Sequence, residues 1–167
     1  MKKIEQRRLI CILAGVCLAL LISMCIILGV TGKPEAPAFV PPEFDAAAVA
    51  GVPVVSEDLG WKELLDERLS FHSAVCGVIR IKDGRAKIYL TNYAENTLWL
   101  KVRVFGADGN VLGESGLIKP GEYLEEITFD VLPKNGEQIT LRLMSYEPET
   151  YHSGGAVSLN TRATLEG

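Results

Sequence analysis

The chain has 167 residues, 48% hydrophobic and 23% charged, with a formal net charge of −4. Its mean hydropathy is +0.19, and one block near the start supplies most of that value. The remainder, 31–167, holds one domain with a core. This length excludes a large multidomain enzyme, and a single long apolar run excludes a polytopic transporter.

In chain order, residues 1–8 carry Lys2, Lys3, Arg7 and Arg8 against one acid, Glu5. Residues 9–30, Leu9 to Val30, contain no charge and are long enough to span a hydrocarbon core. The positive-inside rule then predicts a single-pass signal anchor in the cell membrane, with the N-terminus cytoplasmic and 31–167 extracytoplasmic. A cleaved signal peptide is the rival reading, but its apolar region is usually only about 7–15 residues. A lipoprotein is disfavoured because Val16 precedes Cys17 and Met24 precedes Cys25. Within the span, Cys11, Gly15, Ala19 and Ser23 recur every fourth residue. Such a stripe of small side chains suits close helix–helix approach and hence a homo-oligomer.

Residues 31–55 read as a Pro/Ala-rich linker. Five of the eight prolines fall there: Pro34, Pro37, Pro41, Pro42 and Pro53. The linker either extends as a spacer or docks in part on the domain through Phe39, Val40, Phe44, Val54 and Val55. From 56 to 167 an extracytoplasmic β domain is expected. It opens with a short amphipathic helix capped by Ser56, with Trp61, Leu64, Leu65 and Leu69 on one face.

From about residue 74 the period becomes two. Ile79 and Ile81 alternate with Arg80 and Lys82, Asp83-Gly84 signals a hairpin, and Ala86, Ile88 and Leu90 return on the same face. Further inward sets are Leu100, Val102 and Val104; Ile127, Phe129 and Val131; Ile139, Leu141 and Leu143; and Val157, Leu159, Thr161 and Ala163. With Val111-Leu112, this makes about seven strands separated by turn chemistry. The fold class predicted is all-β, an Ig-like antiparallel β-sandwich. Cys76 is the one cysteine beyond the apolar block. It reads as a small buried apolar residue, with pairing between chains as the alternative.

Val102-Arg103-Val104-Phe105, Gly109-Asn110-Val111-Leu112-Gly113 and Leu117-Ile118-Lys119-Pro120-Gly121-Glu122 resemble small extracytoplasmic Ig-like domains of the FxLYD type. The family's tyrosine-aspartate after the strand is replaced here, since Gly106 follows Phe105. The whole chain is also similar to small N-terminally anchored envelope proteins of Gram-positive gut bacteria. The resemblance implies an envelope location and no reaction.

Charge is unevenly distributed. Residues 31–74 carry net −5, 75–105 net +4 and 106–167 net −6. The hairpin register sets Lys82 opposite Arg85 and Arg80 opposite Lys87. Opposed like charges destabilise a sheet unless something offsets them. Arg80, Lys82, Arg85 and Lys87 are therefore a candidate anion-binding face, or else a solvated face balanced by acids such as Glu125 and Glu126. A second candidate is the loop 146–155, in which Tyr146, Glu147, Glu149, Tyr151 and His152 would serve recognition.

Catalytic patterns fail. Gly113-Glu114-Ser115-Gly116 is one residue short of a nucleophile elbow. His72 and His152 are the only histidines. No zinc spacing, phosphate loop or dinucleotide fingerprint occurs. The expectation is a non-enzymatic membrane-anchored binding or assembly module without cofactor or metal, partnered by a cell-envelope protein complex. The alternative is a binder of anionic wall polymer or surface ligand through the basic hairpin. Nucleic acid is not expected for an acidic extracytoplasmic domain.

Overall fold

The computed structural model describes residues 4, 13–20, 23–24, 39–64 and 71–167. Two compact units separate between Val40 and Pro41. In the first, residues 13–20 and 23–24 are helical. Among the described residues no helix is long and apolar enough to cross a membrane, and much of Leu9–Val30 lies outside them. Of the small-residue stripe, Gly15, Ala19 and Ser23 fall on described helical residues, and Cys11 lies outside them.

The second unit is all-β, a curled mixed sheet in which β4, β9 and much of β5 follow the period-two pattern. The described strands are β1 (Val49–Ala50), β2 (Trp61–Leu64), β3 (Ser73–Cys76), β4 (Ile79–Lys82), β5 (Arg85–Asn92), β6 (Trp99–Phe105), β7 (Val111–Glu114), β8 (Glu122–Thr128), β9 (Gln138–Tyr146) and β10 (Ser153–Leu165). The main path runs β1-β8-β5-β4-β10-β9-β6-β7, and β2 joins through β3 to β5. Pairs are antiparallel except β10 with β4, where Ala163 meets Ile79 and Leu165 meets Ile81 in parallel. The sequence reading gave about seven strands; it missed β1, β2 and β3.

The core forms where the inward rows meet. Ile79, Ile81, Ala86, Ile88 and Leu90 pack with Leu100, Val102, Val104, Ile139, Leu141 and Leu143, all essentially excluded from solvent. Burying each large aliphatic side chain stabilises by about 1.5–3 kcal/mol. Cys76 is buried in β3. Burial, with a smaller contribution from the Asp58 charge, pushes its thiol up to about 12. Val131, expected inward, is instead 57% exposed. The chain leaves the ladder there, with Asp130 and Val131 both donating their N–H groups to Leu112 O at 2.8 and 3.1 Å.

The expected amphipathic helix is corrected. Only Glu57–Leu59 forms a 3-10 turn, and Gly60 ends it at φ 58 by donating its N–H to Glu57 O. Trp61–Leu64 then runs as β2, antiparallel to β3, and the Trp61 Nε1–H bonds Tyr89 O at 3.0 Å. Ser56 does not cap the turn through its side chain; its hydroxyl donates to Asp58 Oδ1 at 2.5 Å. Leu65 and Leu69 lie outside the described residues.

Part of the 31–55 stretch joins the β unit. Asp45 N–H bonds Leu117 O at 2.8 Å, Leu117 N–H bonds Glu43 O at 2.8 Å, and Val49 pairs with Tyr123 of β8. Two glycines make this fit. A Cβ on Gly116 would sit 2.5 Å from Asp45 N, and one on Gly113 would overlap Thr128 O. Here lies the physical reason for Gly113-Glu114-Ser115-Gly116. Its glycines admit neighbouring backbone, and the buried Ser115 Oγ accepts the Val102 N–H at 3.0 Å. Gly113→Ala should therefore destabilise the domain by about 1–3 kcal/mol, read as a lower urea midpoint. An unchanged midpoint would show that β7 and β8 are not in that close contact.

Candidate functional site

The Asp83-Gly84 turn, with φ values of 50 and 76, closes the β4–β5 hairpin. Next to the turn the register is the predicted one, Ile81 pairing with Ala86 and Lys82 with Arg85; the expected Arg80–Lys87 pair is not among the β4–β5 partners. Because the isoleucines and Ala86 face the core, Arg80, Lys82, Arg85 and Lys87 all point away from it. They line one open concavity of about 560 Å³. Leu59, Asp83, Glu126 and Glu166 complete the lining.

The four bases are not equivalent. Arg80 Nη1 donates to Asp58 Oδ2 at 2.6 Å, and its Nε lies 3.9 Å from Glu166 Oε1. Lys87 Nζ reaches Glu125 Oε1 at 2.9 Å, and the Tyr89 hydroxyl donates to the same oxygen at 3.1 Å. The Glu125 hydrogen bond raises the Lys87 ammonium, and in turn the Lys87 hydrogen bond chiefly lowers the Glu125 carboxyl. Lys82 and Arg85 are different. Among the described residues neither has a carboxylate oxygen within 4.0 Å. The sequence expectation of balancing acids is thus met at Lys87 and Arg80 and not at the turn itself.

The second candidate, the 146–155 loop, joins β9 to β10. It is held by its own bonds: Glu147 N–H to His152 O at 2.8 Å and Tyr151 N–H to Glu147 O at 3.0 Å. Glu149 and Tyr151 adopt positive φ, 66 and 57. Glu147 Oε2 accepts from Thr150 Oγ1 at 3.0 Å and lies 3.8 Å from His152 Nδ1. The Tyr151 ring meets Trp99 at 5.4 Å, and Trp99 meets Phe44 at 4.8 Å, both edge to face. The Tyr146 hydroxyl lies 3.7 Å from Met144 Sδ. Four of the five candidate side chains, Tyr146, Glu147, Tyr151 and His152, therefore already make contacts in or beside the loop. Loop and basic hairpin are not one site: β10, 13 residues long, starts at the loop and meets β4 only through its last residues, Ala163 to Leu165.

Sequence reading missed a third cluster. His72 stacks on Tyr93 at 4.1 Å, with Glu95 Oε1 2.9 Å from Nδ1 and Glu63 Oε2 3.3 Å from Nε2. The Tyr93 hydroxyl donates to Glu63 at 3.2 Å; burial first, then this bond, pushes Tyr93 up to about 12. These residues come from β2, the position just before β3 and the turn after β5, so no local spacing announces them. Between β6 and β7, Lys101 and Arg103 share Glu114 at 2.9 and 2.6 Å, with the Lys101 side chain only 8% exposed. Among the described residues no group of three His, Cys, Asp or Glu side chains could hold a metal ion.

Burial alone would raise the Glu114 carboxyl; hydrogen bonds from Lys101 and Arg103 outweigh it and hold it below the ordinary carboxylate value. A depressed native value means that Glu114 stabilises the fold above about pH 4.5 and loses that contribution as acid titrates it. Glu114→Gln should cost about 1–3 kcal/mol at pH 7 by leaving a buried ammonium without its carboxylate. It should also flatten the acid limb of the stability–pH curve. Equal acid limbs in wild type and variant would contradict the pairing. Comparison of the chain with protein-family models, curated proteins and solved structures finds no match.

Proposed function

We propose that the chain is a non-enzymatic binding module of the cell envelope, anchored by residues 9–30, whose β unit holds an anionic polymer through the basic hairpin. The carrying observation is the Lys82–Arg85 pair. The two cations pair across the hairpin turn on the concavity that Arg80 and Lys87 also line, and among the described residues neither has a carboxylate oxygen within 4.0 Å. Opposed like charges cost stability in a bare sheet; an anion seated between them reverses the sign of that interaction. The finer fold reading, an Ig-like sandwich, is supported by two sets of strands, β8-β5-β4 and β9-β6-β7, around one core. The anchor and the extracytoplasmic location are supported by the uncharged Leu9–Val30 run and the bases ahead of it. A second reading, docking of an envelope protein on the 146–155 loop, is supported by the exposed Glu149 and His152 on a braced loop.

The test uses the full chain in neutral detergent and long-chain inorganic polyphosphate as probe. The wild type should bind, and the affinity should fall steeply with added salt. Lys82→Ser with Arg85→Ser should weaken binding at least tenfold without lowering the melting temperature. Replacing Lys2, Lys3, Arg7 and Arg8 should leave the Lys82/Arg85-dependent part intact. Binding indifferent to Lys82 and Arg85 would refute the site.

A further inference from the structure

We propose that Asp58 is a built-in competitor of the anion site, occupying Arg80 until a ligand with at least two anionic groups displaces it. The proposal rests on the anion-binding reading and adds the ligand class and its regulation.

The geometry separates the four bases into a ready pair and a held pair. Lys82 and Arg85 meet no carboxylate among the described residues, whereas Asp58 and Glu166 both approach Arg80. Asp58 is set in place by backbone rather than by chance of rotamer. Its 3-10 turn is tied to the β3–β4 connection by Gly77 N–H to Gly60 O and Val78 N–H to Leu59 O, each 3.0 Å. The Ser56 hydroxyl fixes its other oxygen. Leu59 of the same turn and Arg80 both line the concavity, and Asp58 engages the site through Arg80.

The contact is nevertheless exchangeable. The Arg80 and Asp58 side chains are 40% and 52% exposed, and exposed ion pairs contribute little net stability. Hydrogen bonds from Ser56 and Arg80 hold the Asp58 carboxyl below its ordinary value, so it remains an anion through the pH range in which a phosphate or carboxylate ligand is charged. Arg80 and Lys82 lie two residues apart on one face of β4, roughly 6–7 Å along the strand. A monovalent anion at Lys82–Arg85 would leave Arg80 with Asp58. A linear polyanion places a second charge within reach of Arg80 and can take it over. The site is thereby tuned against small anions and toward polymers.

The experiment measures polyphosphate and orthophosphate binding to the full chain in neutral detergent, for wild type, Asp58→Asn, Glu57→Gln and each of these with Arg80→Ser. Glu57→Gln removes the same charge from the same turn without freeing Arg80. Asp58→Asn should tighten polyphosphate binding about three- to tenfold and steepen its salt dependence; Glu57→Gln should do so by less than twofold. Arg80→Ser should erase the difference. Orthophosphate should bind far more weakly to every variant. In the wild type, polyphosphate should also raise the Asp58 carboxyl titration seen by carbon-13 NMR, since Asp58 loses Arg80. If the wild type binds and Asp58→Asn does no more than Glu57→Gln, the competitor is refuted and the anion site stands. If neither wild type nor Asp58→Asn binds polyphosphate, both fall.

Discussion

Everything in the β unit depends on β10 bonding in two senses. Its first part runs antiparallel to β9 from Tyr146 to Gln138. Its last residues, Ala163 to Leu165, run parallel to β4. One strand thus belongs to two hydrogen-bonded groups, and the sheet must curl so that both present apolar rows to a single core. Right-handed strand twist makes such a curl natural over a strand of this length. The same crossing fixes the site. The Glu166 N–H bonds Ile81 O at 2.8 Å, which carries the Glu166 carboxylate to the wall beside Arg80.

Closure also needs close approach where side chains would obstruct it. Gly113 and Gly116 supply it at β7, as Gly154 does beneath Leu98 and Ser145. Polar groups trapped by the closure are mostly satisfied. The buried Asn92 donates to Leu98 O and Ile118 O at 2.9 and 3.1 Å and accepts from Asn96 at 2.6 Å. Ser73 Oγ is buried without a partner among the described residues. Satisfied polar nodes of this kind fix a unique arrangement of strands.

Alternation and turn chemistry made the β4–β5 hairpin legible in the sequence, with the register right for the two pairs that flank the turn. Leu100, Val102, Val104, Ile139, Leu141 and Leu143 were readable as core for the same reason. Trp61 and Leu64 were not: their spacing suits a helix, and only Gly60 and the pairing with β3 decide otherwise. β3 hides because Ser73 to Cys76 are buried on both faces and show no alternation. The bases of the candidate site could be placed on one face from register alone. Their partners could not, since Asp58 lies 22 residues from Arg80 and meets it only through tertiary structure.

The functional account comes down to whether the turn end of the hairpin is where the anion sits. Amine labelling of the full chain, read lysine by lysine in mass spectra with and without long-chain polyphosphate, tests this directly. The account predicts strong protection of Lys82, less at Lys87, whose ammonium already holds Glu125, and none at Lys134. Protection confined to Lys2 and Lys3, or spread equally over Lys82 and Lys134, would contradict it.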